Sequence, residues 1–201
     1  MDFSLTRTNL EKLGYTVSEF ESGADAAEYL AAAISGSTVG MGGSMTIKQM
    51  GRYEGLSKSN RVFWHWTPAE GSDAEQTRVL AQTADIYISS VNGMAETGEI
   101  VNIDGACNRV AGILYGHKKV YLIVGQNKIA ADYDGALYRA RNTAAPLNAK
   151  RLNRKTPCAI SGDRCFDCAS PERICRSLNV LWGKPAGCEY EVVLIHENLG
   201  Y

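Results

Sequence analysis

Four cysteines fall within 18 residues, spaced Cys158-x6-Cys165-x2-Cys168-x6-Cys175. Thiolates at such density suit metal chemistry. A [4Fe–4S] cube takes four thiolates and tolerates varied spacing. Structural zinc usually takes two short Cys-x2–4-Cys knuckles, and only Cys165–Cys168 forms one. The expected cofactor is therefore a 4Fe–4S cluster held by Cys158, Cys165, Cys168 and Cys175, with zinc as the alternative and disulfide or free thiols as the remainder. Arg154, Lys155, Arg164, Arg173 and Arg176 would offset the cluster's negative charge. The N-terminus has no charged segment followed by an apolar run. A cytoplasmic location is expected, where thiols stay reduced and clustered cysteines more often bind metal than cross-link. Cys107 reads as a small buried hydrophobe and Cys188 as a semi-buried one.

A second candidate is the glycine loop GMGGSMT at 40–46. Glycine lets the backbone approach a ligand, and Gly42, Gly43, Ser44, Met45 and Thr46 offer backbone N–H and hydroxyl donors for a carboxylate or phosphate. The loop is neither Gly-x4-Gly-Lys-Ser/Thr nor Gly-x-Gly-x-x-Gly. The competing reading is a tight turn with Ser44 as an ordinary helix cap. Glu96 and Glu99, around Thr97-Gly98, could act as general base or nucleophile, or be solvated acids at a hairpin tip. Arg109 could clamp a carboxylate through two parallel N–H groups, or pair with Asp104; Asn108 lies beside it. Asn127 and Lys128 follow the most apolar segment and complete the candidate ligand contacts, although Lys128 also reads as a surface lysine. His65 lies between Trp64 and Trp66; strand alternation would turn it away from both.

These residues need a scaffold that brings them together. The chain alternates strand-like and helix-like segments. Strands are predicted at 15–20, 38–41, 61–66, 85–90, 100–103, 119–124 and 191–196, and helices at 3–13, 24–34, 44–50, 73–83, 108–115 and 132–145, the last stopped by Pro146. The rhythm predicts an α/β layered fold around a mostly parallel sheet. In such sheets ligands sit beyond the carboxyl ends of the strands. That rule singles out the loops 40–46, 89–99 and 124–128.

The chain has 201 residues, the size of one domain. Twenty-one basic and 22 acidic residues give a net charge of −1, which argues against a general nucleic-acid or membrane-surface binder. No run approaches the length of a membrane-spanning helix. The balance is uneven locally: seven basic and three acidic residues lie between Lys150 and Arg176. A Cys-rich basic segment, 147–178, thus decorates a single domain spanning 1–201.

The stretches VGMGGSMT (39–46), GEIVNIDGACNRVAGILYG (98–116), VYLIVGQNKI (120–129), APLNAKRL (145–152), CFDCASPERIC (165–175) and ENLGY (197–201) resemble the LUD (lactate-utilisation) domain family, in a four-cysteine branch. The resemblance implies the three-layer α/β/α fold shared by ribose-5-phosphate isomerase and the CoA transferases. It also implies a role in oxidising lactate or a related 2-hydroxy acid; because the chain has no dinucleotide fingerprint, electrons would pass to a redox partner protein or arrive from one. The ligand would be a small carboxylate or phosphate. The alternatives are a non-redox isomerase, transferase or hydrolase with structural zinc, in which Glu96 or Glu99 reacts, and a redox-sensing regulatory module. A homodimer is the expected assembly, because closed symmetric dimers are the commonest.

Overall fold

The computed structural model describes residues 1–51 and 53–201. A six-stranded, wholly parallel sheet forms its centre, built from β1 (Thr16–Phe20), β2 (Thr38–Met41), β3 (Arg61–Trp64), β4 (Ile86–Ser90), β7 (Lys119–Gly125) and β10 (Glu189–Ile195) in the order β1-β10-β7-β4-β2-β3. Strands covered on both faces read as continuous apolar runs, and β7 (KVYLIVG) is buried from Val120 to Gly125. Successive side chains point to opposite faces. Val120, Leu122 and Val124 therefore enter one core with Tyr190, Val192 and Leu194, while Tyr121 and Ile123 enter the other with Val193 and Ile195.

The second core is roofed by α2 (Gly23–Ala33), α3 (Met45–Met50) and α4 (Tyr53–Ser57), through Ala26, Leu30, Ile47, Met50 and Leu56. The first is covered by Leu10 of α1 (Ser4–Lys12), Ala81 of α5 (Ala74–Gln82) and Ile113 of α6 (Asn108–Leu114). This is the α/β/α sandwich expected. One helical layer also contains a small sheet, ordered β8-β5-β6-β9, from β5 (Gly93–Ala95), β6 (Ile100–Asp104), β8 (Ile129–Ala130) and β9 (Ser177–Leu181). Met94, Ile100 and Leu181 face the main core. Ala95 and Val101 pack outward against Ala136 and Ala140. Gly93 permits that approach: a Cβ there would lie 2.4 Å from the Ala136 carbonyl oxygen.

Gly93 opens β5, and the chain reverses at Thr97-Gly98, where Gly98 has φ +109°. Two local expectations are corrected. The strand after Arg61 ends at Trp64, leaving His65 and Trp66 in a turn. Pro146 does not stop the helix before it. Helix α7 (Tyr133–Arg139) widens into a π segment (Ala140–Ala144) and continues as α8 (Ala145–Arg151), with Pro146 in its first turn. A π segment shifts the i→i+4 bonding to i→i+5, and a proline in the opening turn of a helix has no donor to miss. Beyond α8, the short α9 (Pro157–Ser161) leads into the cysteine segment. No helix among the described residues is long and apolar enough to cross a membrane.

Candidate anion-binding cleft

A cleft of about 500 Å3 opens beyond the carboxyl ends of β2, β4 and β7, within the usual range for ligand pockets. Each predicted loop contributes: Gly43–Thr46 after β2, Ser90–Asn92 after β4, and Lys128 after β7. Ile103, Asp104, Asn108 and Arg109 line it from β6 and α6. The facing wall comes from the basic segment, through Arg151 and Arg154 near the end of α8 and Glu172, Arg173 and Arg176 beyond it. His65, Trp66, Arg78, Gly200 and Tyr201 complete the lining. Seven arginine or lysine residues thus meet two acids, Asp104 and Glu172.

Hydroxyls and one amine form the floor. Ser44 caps α3 by accepting from the Ile47 N–H at 3.4 Å. The buried Thr46 hydroxyl accepts from Ser90 Oγ at 3.1 Å and donates to the Leu199 carbonyl at 3.2 Å. Lys128 is 4% exposed. Its Nζ donates to the Val91 carbonyl at 2.8 Å and the Tyr201 carbonyl at 3.3 Å. Burial lowers its proton affinity well below that of an ordinary lysine, and the positive charges of Arg139 and Arg109 lower it further. The expectation of a surface lysine is therefore overturned.

Arg109 lines the cleft without being free to clamp a ligand. Its Nη1 donates to the Ser90 carbonyl at 3.0 Å and to Asn102 Oδ1; its Nη2 donates to Asn92 Oδ1 at 2.8 Å and the Ile103 carbonyl at 2.7 Å. All four terminal N–H groups are thereby used. Asp104 does not pair with it but caps α6, accepting from the N–H groups of Cys107 (3.1 Å) and Val110 (3.0 Å). Gly42 packs behind the cleft: a Cβ there would lie 2.9 Å from Ser89 Oγ and 3.1 Å from Arg109 Cγ. Asn127 anchors the last residues, accepting from Leu199 N at 3.0 Å and donating to the Gly200 carbonyl at 3.4 Å.

On the rim, Arg151 lies 5.2 Å over the Trp66 ring and donates to the Tyr201 hydroxyl at 2.8 Å. Trp66 also stacks on Trp64, with ring centroids 5.6 Å apart. His65 packs edge-on against Trp66 instead of facing away, and burial, reinforced by Arg78, disfavours its protonation. His65, Trp66 and the closing Gly200-Tyr201 were not singled out as site residues from sequence. Their common signal is adjacency to a strand end or to Lys128, which only the folded chain supplies.

Glu96 and Glu99 do not line the cleft. They lie at the β5–β6 turn, where Asn9 donates to the Glu96 carbonyl at 2.8 Å and Thr97 bonds the Glu99 carboxylate. The cysteine expectation is contradicted. All six cysteines are free, and no group of three or more His, Cys, Asp or Glu among the described residues is arranged to hold a metal ion. Proximity in sequence does not become convergence in space. Cys158 Sγ lies 3.3 Å from Thr156 Oγ1, Cys165 Sγ accepts from Asp167 N at 3.3 Å, and Cys175 Sγ accepts from Arg173 at 3.6 Å. Neither the 4Fe–4S cluster nor zinc has a site there. Cys107 is exposed, with φ +64°, rather than buried.

An α/β/α sandwich with a positively lined cleft beyond its parallel strands defines the class of protein. The chain belongs to the LUD domain family, whose model matches residues 4–195. Among solved structures, it is similar to a DUF162 family protein from Deinococcus radiodurans, with 12% identity and a TM-score of 0.56, over 97% of this chain and 99% of that one. A weaker similarity, TM-score 0.32 at 12% identity, covers 66% of this chain and 44% of eIF2B beta from Chaetomium thermophilum. The chain has no match among the curated proteins.

Proposed function

We propose that the cleft binds a small anionic metabolite, a carboxylate or phosphate, and that within the LUD family this chain serves 2-hydroxy-acid (lactate) utilisation. The observation that carries the reading is the excess of arginines in one cleft, six against two acids. Cationic clefts with low-dielectric walls concentrate anions. Arg154 is exposed and stands on the rim, so it is available to a ligand's charge. Ser44, Thr46 and Lys128 meet the ligand at the floor. Oxidation of a 2-hydroxy acid would need an electron acceptor, and this role is given to a partner protein rather than to the cysteine segment, which serves as a cleft wall.

Isothermal titration with lactate, pyruvate and inorganic phosphate tests the proposal. Saturable binding that weakens with rising salt supports it. Absence of binding by all three at low salt rejects it.

A further inference from the structure

Lys128 is a buried amine whose hydrogen bonds go to main-chain oxygens. We propose that Lys128 is a nucleophilic amine that forms an imine with a small anionic carbonyl compound, of which 2-oxo acids are the fitting class. This rests on the cleft being the ligand site and adds the chemistry done there.

Three observations support it. First, placement: Lys128 ends the Gln126–Lys128 turn at the carboxyl end of β7 and lines the cleft floor. The turn is fixed by Gln126 N donating to the Glu197 carbonyl at 3.0 Å and Arg139 Nε donating to the Asn127 carbonyl at 2.6 Å. Second, surroundings: the acceptors of Nζ are the main-chain oxygens of Val91 and Tyr201, and no Asp or Glu forms an ion pair with it among the described residues. Arg139 and Arg109 add charge of its own sign. An amine so placed favours the neutral form, which carries the lone pair a nucleophile needs. Third, proton carriers: Thr46 Oγ1 and Lys128 Nζ both adjoin Gly200, and Ser90 Oγ extends the hydroxyl pair.

The step balances without a redox partner. The Nζ lone pair forms a C–N bond to the carbonyl carbon, and the carbonyl π pair moves to oxygen. The two amine protons then leave with that oxygen as water, giving the imine, with Thr46 and Ser90 able to relay them. The ligand's carboxylate faces the arginine rim.

The test uses the whole chain with pyruvate, glyoxylate and 2-oxobutyrate as probes and inorganic phosphate as the non-carbonyl control. Calorimetry identifies which probes bind; cyanoborohydride then reduces any imine, and peptide mass mapping locates it. The expected result is a single reduced adduct on the Lys128 peptide, at least tenfold above any other lysine, absent from Lys128→Met and Lys128→Gln. A bound 2-oxo acid that leaves Lys128 unmodified in the wild type overturns the imine, as does labelling that persists in both variants. Phosphate binding with no 2-oxo acid bound also overturns it while leaving the anion site intact. Failure of every anion to bind instead rejects the site itself.

Discussion

Asn92 Oδ1 accepts from Arg109 Nη2 at 2.8 Å and also from the Ile103 N–H at 2.8 Å. One side-chain oxygen thus ties the loop after β4 to both β6 and α6, and Arg109 acts as the bolt of the cleft rather than as its bait. Arg109→Ala would leave the Ser90 and Ile103 carbonyls and two amide oxygens without their charged donor. Such losses cost about 3 kcal/mol. A denaturant midpoint lowered accordingly is expected; a stability within ~0.5 kcal/mol of the wild type would refute the role.

The rim arginines carry the attraction for anions. Arg154→Glu reverses one exposed charge and should weaken phosphate or lactate binding about tenfold at low salt, or ~1.4 kcal/mol, with the difference shrinking as salt screens it. Calorimetry of the two proteins at low and high salt reads this directly. Equal affinities at low salt would place the anion elsewhere.

Glu96 and Glu99 provide the contrasting case. Both sit at the β5–β6 turn, outside the cleft lining. Glu99→Gln and Glu96→Gln should leave anion affinity unchanged within about twofold. A loss of binding or turnover in either variant would restore the carboxylate chemistry that the ETGE spacing suggests.

Lys128→Met keeps the aliphatic stem and removes a buried, poorly compensated amine. Replacing buried ionisable groups with apolar ones of similar size is often neutral or stabilising. A gain of about 1 kcal/mol, measured by denaturant titration, is expected together with loss of imine chemistry. A large destabilisation would mark Lys128 as structural.

Acid stability should depend on Asp85. Lys118 lies 2.7 Å from its Oδ1, and the Thr38 hydroxyl donates to its Oδ2 at 2.6 Å. Lys118 first, then Thr38, holds the carboxyl at about 2, against an ordinary 3.8. A carboxyl whose folded-state pKa is depressed stabilises the fold above its unfolded pKa, and that stability is lost as pH falls through the folded value. Asp85→Asn should therefore lower the melting temperature at neutral pH, and the gap should close between about pH 4 and about pH 2. A gap that is constant with pH would disprove the linkage.

Much of the site was legible because parallel sheets place ligands by rule. The apolar run of β7 and the strand-like 38–41 and 85–90 located the loops that hold Thr46, Ser90 and Lys128. The charge excess of 150–176 anticipated a positive surface, but not that it forms the opposite wall. What stayed hidden depends on distant partners. β5 has three residues, and β9 pairs with β6 across more than seventy positions of chain, so neither has a local pattern. Pro146 looked like a helix stop because the π segment that admits it has no sequence signature. The same limit explains the cysteines: spacing counts residues, whereas a metal site needs side chains to converge.

The central claim is that the cleft beyond β2, β4 and β7 is where a small anion binds. Backbone amide NMR shifts during titration with lactate and with phosphate test it most directly. Saturating shifts concentrated at Gly43–Thr46, Ser90–Asn92 and Lys128, and reduced in Arg154→Glu at a matched sub-saturating ligand concentration, are predicted. Shifts centred on the β5–β6 turn, or none at all, would contradict it.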